Sequence, residues 1–343
     1  MRFLKFALLG LAFAPAFAHD WGCWIQPNRT VYVRNTATYS SQAAAALNEW
    51  NGDTVLSIVN VSYHTEVSVY DGNYGNTGWG GLASIESYSG CNILHGHATL
   101  NYYYSYSSNG KRGVFCQEVG HLFGLQHSND GGCMGGGYYY SIDSNYNVVS
   151  HNINDIASKY AGIGYKHDDP PGESDHHDHG NDVISGKPVV HALWYENPQS
   201  LSEAVGLANA IVLAKVVEIY DEPDIVVPIT PNGDEVDRVP NQLIVLKTLR
   251  VLNGAMREET IPLFHTGNED YILIGDPPYR MGETYLLFLT ARDDSTYRVI
   301  SPEGRYRVKD GSMTPMSEKP FAAVVASGSV DMLERDLRDR FVK

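Results

Sequence analysis

The residues best placed to do chemistry lie in one short run, Gln117-Glu118-Val-Gly-His121-Leu-Phe-Gly124-Leu-Gln-His127. Side chains four positions apart on a helix stand on one face, so Gln117 and His121 can point at a common centre. Glu118 is offset by one residue and reaches beside that centre, where a general base for a metal-bound water belongs. Gly124 allows a left-handed residue that ends the helix and turns the chain. That turn brings His127 back toward the same centre. Three protein ligands with one open position is the arrangement of a catalytic zinc site.

The run matches all but the first position of His-Glu-x-x-His-x-x-Gly-x-x-His, and it resembles the zinc-binding stretch of the metzincin metallopeptidases. Gln117 stands where that family has its first histidine. Met134, in Cys133-Met134 of a Gly-rich turn, resembles the Met-turn that floors the metal site in metzincins. Gly78-Trp-Gly-Gly-Leu-Ala-Ser-Ile85, Gly96-His-Ala-Thr-Leu-Asn101 and Cys116-Gln-Glu118 are similar to secreted bacterial matrixin-like proteins, some of which also read Cys-Gln-Glu-x-Gly-His. The resemblance covers roughly residues 30 to 162.

This resemblance implies a zinc endopeptidase acting on protein or peptide substrates. Zn2+ would be held by His121 and His127 with Gln117 as third ligand, Glu118 would be the base, and Met134 would be structural. It also implies that the strand just before the helix, read as Ala98 to Tyr104, is a sheet edge that aligns an extended substrate. An amide oxygen is a weaker donor than imidazole, so the site would bind zinc less tightly than a three-histidine one. The competing reading is a pseudo-peptidase that keeps the fold and binds a peptide or glycan without cutting it.

Other histidines offer lesser readings. A mature N-terminal His19 can chelate copper. His95 and His97 could replace a missing ligand or bind a structural zinc, though packing explains a lone His-Gly-His more simply. No cysteine-switch segment lies between the leader and the first strand.

Residues 1–18 have the form of a secretory signal: Arg2 and Lys5, an apolar run from Phe6 to Phe13, and the small-x-small site Ala16-Phe-Ala18. The apolar run is too short to span a bilayer, and no later stretch is long and apolar enough to be a membrane anchor. The four cysteines of an exported chain favour disulfides. Cys116 and Cys133 bracket the helix and the Met134 turn, which pairs them and leaves Cys23 with Cys91, one of three connectivities. The formal charge is -15, and it becomes more negative when the signal, with two cations and no acid, is removed. That opposes binding to nucleic acid or anionic membranes.

The elements that must position these residues follow from pattern. Thr30 to Thr36 alternates as a strand, and Ser40 to Trp50 holds an Ala-rich helix with a serine cap. Thr54 to Val61, Leu82 to Ile85 and Ala98 to Tyr104 read as strands. The motif helix begins near Lys111, and Asn152 to Tyr160 forms a last helix. Residues 166–182, acidic and His-rich, read as a linker. Strands are predicted at Ile211–Tyr220, Gln242–Leu252, Thr260–Phe264, Thr284–Leu289 and Tyr297–Val308, with a closing helix at Val330–Phe341. The expected class is therefore α+β: a metzincin-like domain over 19–165, then a β-rich accessory domain over 183–343. The latter resembles the small β-barrel modules that follow exported bacterial domains, OB-like ones among them.

Overall fold

The computed structural model describes residues 21–63, 65–135, 142, 144–165, 186–196, 198–230, 232–317, 321, 324 and 327–341. The signal, His19, the linker histidines and the loop after Gly135 lie outside this set. The chain is α+β, with two seven-stranded sheets. No helix among the described residues is long and apolar enough to cross a membrane.

The first sheet is built mainly before the linker. It contains β1 (Thr30–Asn35), β2 (Ser57–Asn60), β3 (Val67–Gly72), β4 (Trp79–Ser89) and β5 (Asn92–Asn101). The order runs β10-β6-β4-β5-β3-β1-β2, where β6 is Val189–Trp194 and β10 is Ile272–Leu273. Strands β1, β2, β3 and β5 pair in parallel, while β4 runs antiparallel to β5 and β6 antiparallel to β4. The strand before the motif helix, β5, is therefore interior. The expectation that it forms the sheet edge is corrected: the outer edge of β4 is the one that β6 covers. A short strand missing from the sequence reading, β3, is buried along its whole length. Its Asp71-Gly72 end continues the ladder with β5.

Helices α1 (Ser40–Asp53), α2 (Ser108–Leu122) and α3 (Ser150–Lys159) complete this part. Helix α1 does not have the serine cap expected of it. Its N-cap is Tyr39, which makes no side-chain cap bond. The Asp71 carboxylate instead accepts from the backbone N–H groups of Thr38 at 3.1 Å and Tyr39 at 2.8 Å. An acid brought in from β3 thus does the work of a local cap. Helix α2 starts earlier than Lys111 because Ser107 caps it, accepting from the Gly110 N–H at 3.0 Å. Trp50 of α1, fully buried, donates through Nε1 to the Cys116 carbonyl of α2 at 3.0 Å and fixes the two helices together.

The second sheet holds β7 (Ala210–Pro228), β8 (Val236–Gly254), β9 (Thr260–Thr266), β11 (Thr284–Ala291), β12 (Tyr297–Val299), β13 (Arg305–Lys309) and β14 (Ser312–Pro315). Strand β12 pairs with both β9 and β11, so β7, β8, β9, β12 and β11 close into a ring. The strand read as Tyr297–Val308 is two strands, interrupted by a 3-10 turn at Pro302–Gly304 where proline cannot donate to a ladder. Helices α4 (Leu201–Leu207) and α5 (Val330–Phe341) pack on this ring, α5 with the expected bounds.

The two sheets do not part at the linker. Strands β6 and β10 follow it in sequence yet belong to the first sheet. Alternation gives β6 two buried faces. Leu193 joins the core beneath α2, whereas Val190 and Ala192 join a cluster with Tyr74, Trp79, Leu82, Val227, Val239 and Leu273. Polar contacts reinforce that seam. Arg34 Nη1 donates to Glu235 Oε1 at 2.8 Å, the Tyr74 hydroxyl to Asp237 at 2.7 Å, and Arg298 Nε to Asn76 at 2.8 Å.

Candidate metal centre

Helix α2 is buried from Gly113 to its end, which is why this turn of the chain can hold polar groups away from water. Both disulfides predicted from spacing are present. Cys116–Cys133 ties α2 to the Met134 turn, and Cys23–Cys91 ties the N-terminal segment to the β4–β5 hairpin. Met134 is fully buried. A Cβ on Gly120 would collide with its sulfur, so glycine there lets the Met134 turn lie directly under α2, one residue before His121.

The helix ends after Leu122, and Gly124 takes φ +88°, a left-handed value that favours glycine. Its exposed carbonyls are satisfied from elsewhere in the chain. Gln26 Nε2 donates to the Leu122 carbonyl at 2.9 Å. The Tyr160 hydroxyl donates to the Phe123 carbonyl at 3.3 Å and accepts from the Gln26 N–H at 3.1 Å. Tyr160→Phe would strand a buried donor and a buried acceptor. It is expected to lower stability by about 1–3 kcal/mol, read as a lower denaturation midpoint at unchanged slope. An unchanged midpoint would show that these bonds do not anchor the helix end.

His121 is fully buried, and burial pushes its imidazole down to about 4, so it is neutral at pH 7. Its Nδ1 lies 2.8 Å from the Leu125 carbonyl. A carbonyl only accepts, so Nδ1 carries the proton and Nε2 keeps its lone pair for a ligand. His127 Nε2 lies 3.2 Å from His121 Nε2. Two nitrogens on a tetrahedral zinc with bonds of about 2.0–2.1 Å stand about 3.3 Å apart, so the pair has the right spacing.

The third imidazole was not found in the sequence. His191, the central residue of β6, pairs across the ladder with Ala83 of β4. Its ring stacks on His121 with centroids 3.9 Å apart and stands edge-on to His127 at 4.5 Å. The ligand atoms of His121, His127 and His191 all lie within 4.8 Å of one another. Trp21 closes one side, with ring centroids 5.5 Å from His121 and 5.8 Å from His191.

Gln117 and Glu118 sit on the preceding turn of α2, both fully buried. Neither polar atom of the Gln117 amide, and neither oxygen of the Glu118 carboxyl, has a hydrogen-bond partner. Burial alone holds the Glu118 carboxyl well above the ordinary glutamate value. An unsatisfied polar atom of this kind costs about 1–3 kcal/mol, and four on one turn beside three imidazoles fit a site built for an ion. Glu118 presses on β4 at Gly81, where a Cβ would come within 2.5 Å of Oε1. Glycine at 81 thus lets the acid lie directly against β4.

His95 and His97 lie elsewhere. Both ring Nε2 atoms face the Glu86 carboxylate, at 3.4 Å and 3.2 Å, and His97 also lies 4.0 Å from Asp237 of β8. They form a separate His/carboxylate group and do not complete the shell around His121. A scan against protein-family models finds no match to the chain, and a search of curated proteins finds none either, so the site stands on its own geometry.

Proposed function

We propose that this protein is an exported, zinc-dependent endopeptidase. The observation that carries the reading is the pair of imidazole nitrogens 3.2 Å apart, from His121 and His127, one turn from a buried carboxyl without hydrogen bonds, Glu118. The donor set is nitrogen with carboxylate nearby, the preference of zinc. His121 and His127 would hold the ion, with the Gln117 amide oxygen and the His191 imidazole as candidates for the remaining ligand. Bound there, zinc would supply Lewis acidity to a peptide carbonyl.

The chain's own residues account for the rest. Glu118 takes a proton from the attacking water as its oxygen adds to the carbonyl carbon. It returns that proton to the amine nitrogen as the C–N bond breaks. Burial raises its pKa, and a raised pKa makes the carboxylate a stronger acceptor for that proton. Strand β4, beside Glu118 at Gly81, offers the backbone against which an extended peptide would lie.

The order of strands, motif helix, buried Met134 turn and last helix supports a metzincin-like domain. The ring of β7, β8, β9, β12 and β11 supports a small OB-like barrel after it. The leader-like residues 1–18 and the two disulfides support export. A second reading, a metal-holding peptide-binding module that does not cut, is favoured by one observation: β6 already lies along β4.

Metal analysis tests the proposal first. Purified protein dialysed against zinc and then against buffer is expected to retain about one equivalent, and His121→Ala to retain far less. Wild type holding less than about a tenth of an equivalent would remove the zinc site.

A further inference from the structure

We infer that the strand Val189–Trp194 is a resident peptide in the proposed substrate cleft, and that its His191 is the third protein ligand of the zinc site in this closed state. This rests on the zinc reading above and goes beyond it, because it assigns the ligand and states what must leave before a substrate binds.

Three observations carry the inference. The first is the ladder. β6 pairs antiparallel with β4 over Trp79↔Trp194, Gly81↔Leu193, Leu82↔Ala192, Ala83↔His191, Ser84↔Val190 and Ile85↔Val189. Those β4 residues include the one against which Glu118 rests, so an extended peptide aligned for attack needs the same backbone groups. A row of N–H and C=O groups can serve one strand at a time. The second is the side chain. His191 is the only residue of Val-Val-His-Ala-Leu-Trp that could ligate a metal, and alternation aims it at the α2 face, against His121. A substrate carbonyl approaching Glu118 along β4 would meet that ring. The third is origin. β6 arrives from beyond the linker at 166–182 and is clamped on its other side by β10. It is thus held from outside by a strand of the accessory part of the chain as well as by the β4 backbone that it covers.

The two readings of the third ligand then describe two states. With β6 in place, His191 completes a nitrogen shell and the cleft is filled. When β6 leaves, His191 leaves with it. Gln117, whose amide has no hydrogen bond in the closed state, remains on α2 to take its part with its oxygen. Imidazole is the better donor, so the closed form holds zinc more tightly than the open one. The partner that this edge fits is an extended peptide segment, and β6 marks its direction.

The experiment uses the full chain. Zinc affinity is measured by titration against a competing chelator for wild type, Gln117→Ala and His191→Ala. Cleavage of a denatured protein at saturating zinc is measured for wild type, His191→Ala and Leu193→Pro, since Leu193 lies in phase with Tyr195, whose N–H donates to the Gly78 carbonyl, and proline there removes a bond of the β4 ladder. Hydrogen exchange at residues 79–85 reports whether β4 has been uncovered. His191→Ala is expected to weaken zinc binding by at least about tenfold, and Gln117→Ala by less. Leu193→Pro is expected to speed exchange at residues 79–85 and to raise cleavage by at least about tenfold. Unchanged zinc affinity in His191→Ala overturns the ligand assignment. Equal, measurable cleavage in wild type and a Leu193→Pro variant with uncovered β4 overturns the resident-strand assignment while the peptidase reading stands. Should no variant cleave, the peptidase reading fails. The strand assignment is then decided by the His191→Ala affinity and the exchange at β4. If Leu193→Pro does not fold, His191→Ala supplies both the affinity and the cleavage comparison.

Discussion

Glu118→Ala is expected to lower peptide cleavage by about 10²–10⁴-fold, the usual contribution of a positioned general base, while bound zinc stays at the wild-type level. The comparison belongs in whichever background, wild type or Leu193→Pro, cleaves faster. Glu118 is one helical turn before His121 and contributes no ligand atom to the imidazole group, so metal content and proton transfer should separate. Stability should separate from activity as well. Both Glu118 oxygens are buried without hydrogen bonds, so Glu118→Gln, which keeps the volume, gives up none. Its melting temperature is expected not to fall, as is common where a functional site holds an unsatisfied group. Equal cleavage in wild type and both variants would take Glu118 out of the chemistry. Parallel loss of zinc would mean that the substitution damaged the centre and not the proton transfer.

How much of this was legible in the sequence depends on the range of the interaction. Local spacing was enough for Gln117, Glu118 and His121 on one helix, for Gly124 as the turn, and for His127 returning beside His121. The two disulfides followed from which elements the cysteines bracket. His191 did not follow, because a single histidine in Val-Val-His-Ala-Leu-Trp is ordinary core composition. Its meaning depends on a ladder that crosses the linker. The sequence signal is a metal-ligating residue inside a short apolar run that follows a long polar segment. The sheet edge was misplaced for a related reason. Alternation identifies β5 as a strand, but only pairing tells whether it is interior. Likewise the start of α1 looked like a serine cap because its actual partner, Asp71, lies on another strand.

Arg305→Met is expected to destabilise the protein by about 3–5 kcal/mol, the cost of leaving one member of a buried charge pair behind. Arg305 is fully buried. Its Nη1 donates to Asp276 Oδ1 at 2.9 Å and to the Pro277 carbonyl at 2.5 Å, and its guanidinium lies 3.5 Å from the centre of the Tyr279 ring. Burial by itself would raise the Asp276 carboxyl. His265, at 3.4 Å, and Arg305 outweigh it and hold the group below the ordinary aspartate value. A depressed folded pKa gives the sign: this stabilisation is complete above the unfolded value of about 3.9 and is lost as pH falls through the lower folded value. Acid titration of the wild type should therefore show stability falling below about pH 4, with a shallower slope in Asp276→Leu. Arg305→Met combined with Asp276→Leu should recover much of the single loss, because no charge is then left unpaired. The pair also bears on the cleft. Asp276 N–H donates to the Leu273 carbonyl at 3.1 Å, and Leu273 belongs to β10, the strand that clamps β6 from outside. Loosening Arg305 should thus speed hydrogen exchange at residues 189 and 190 before the rest of the first sheet responds. A loss below about 1 kcal/mol, or exchange that rises uniformly across the sheet, would mean that the buried pair does not anchor the clamp.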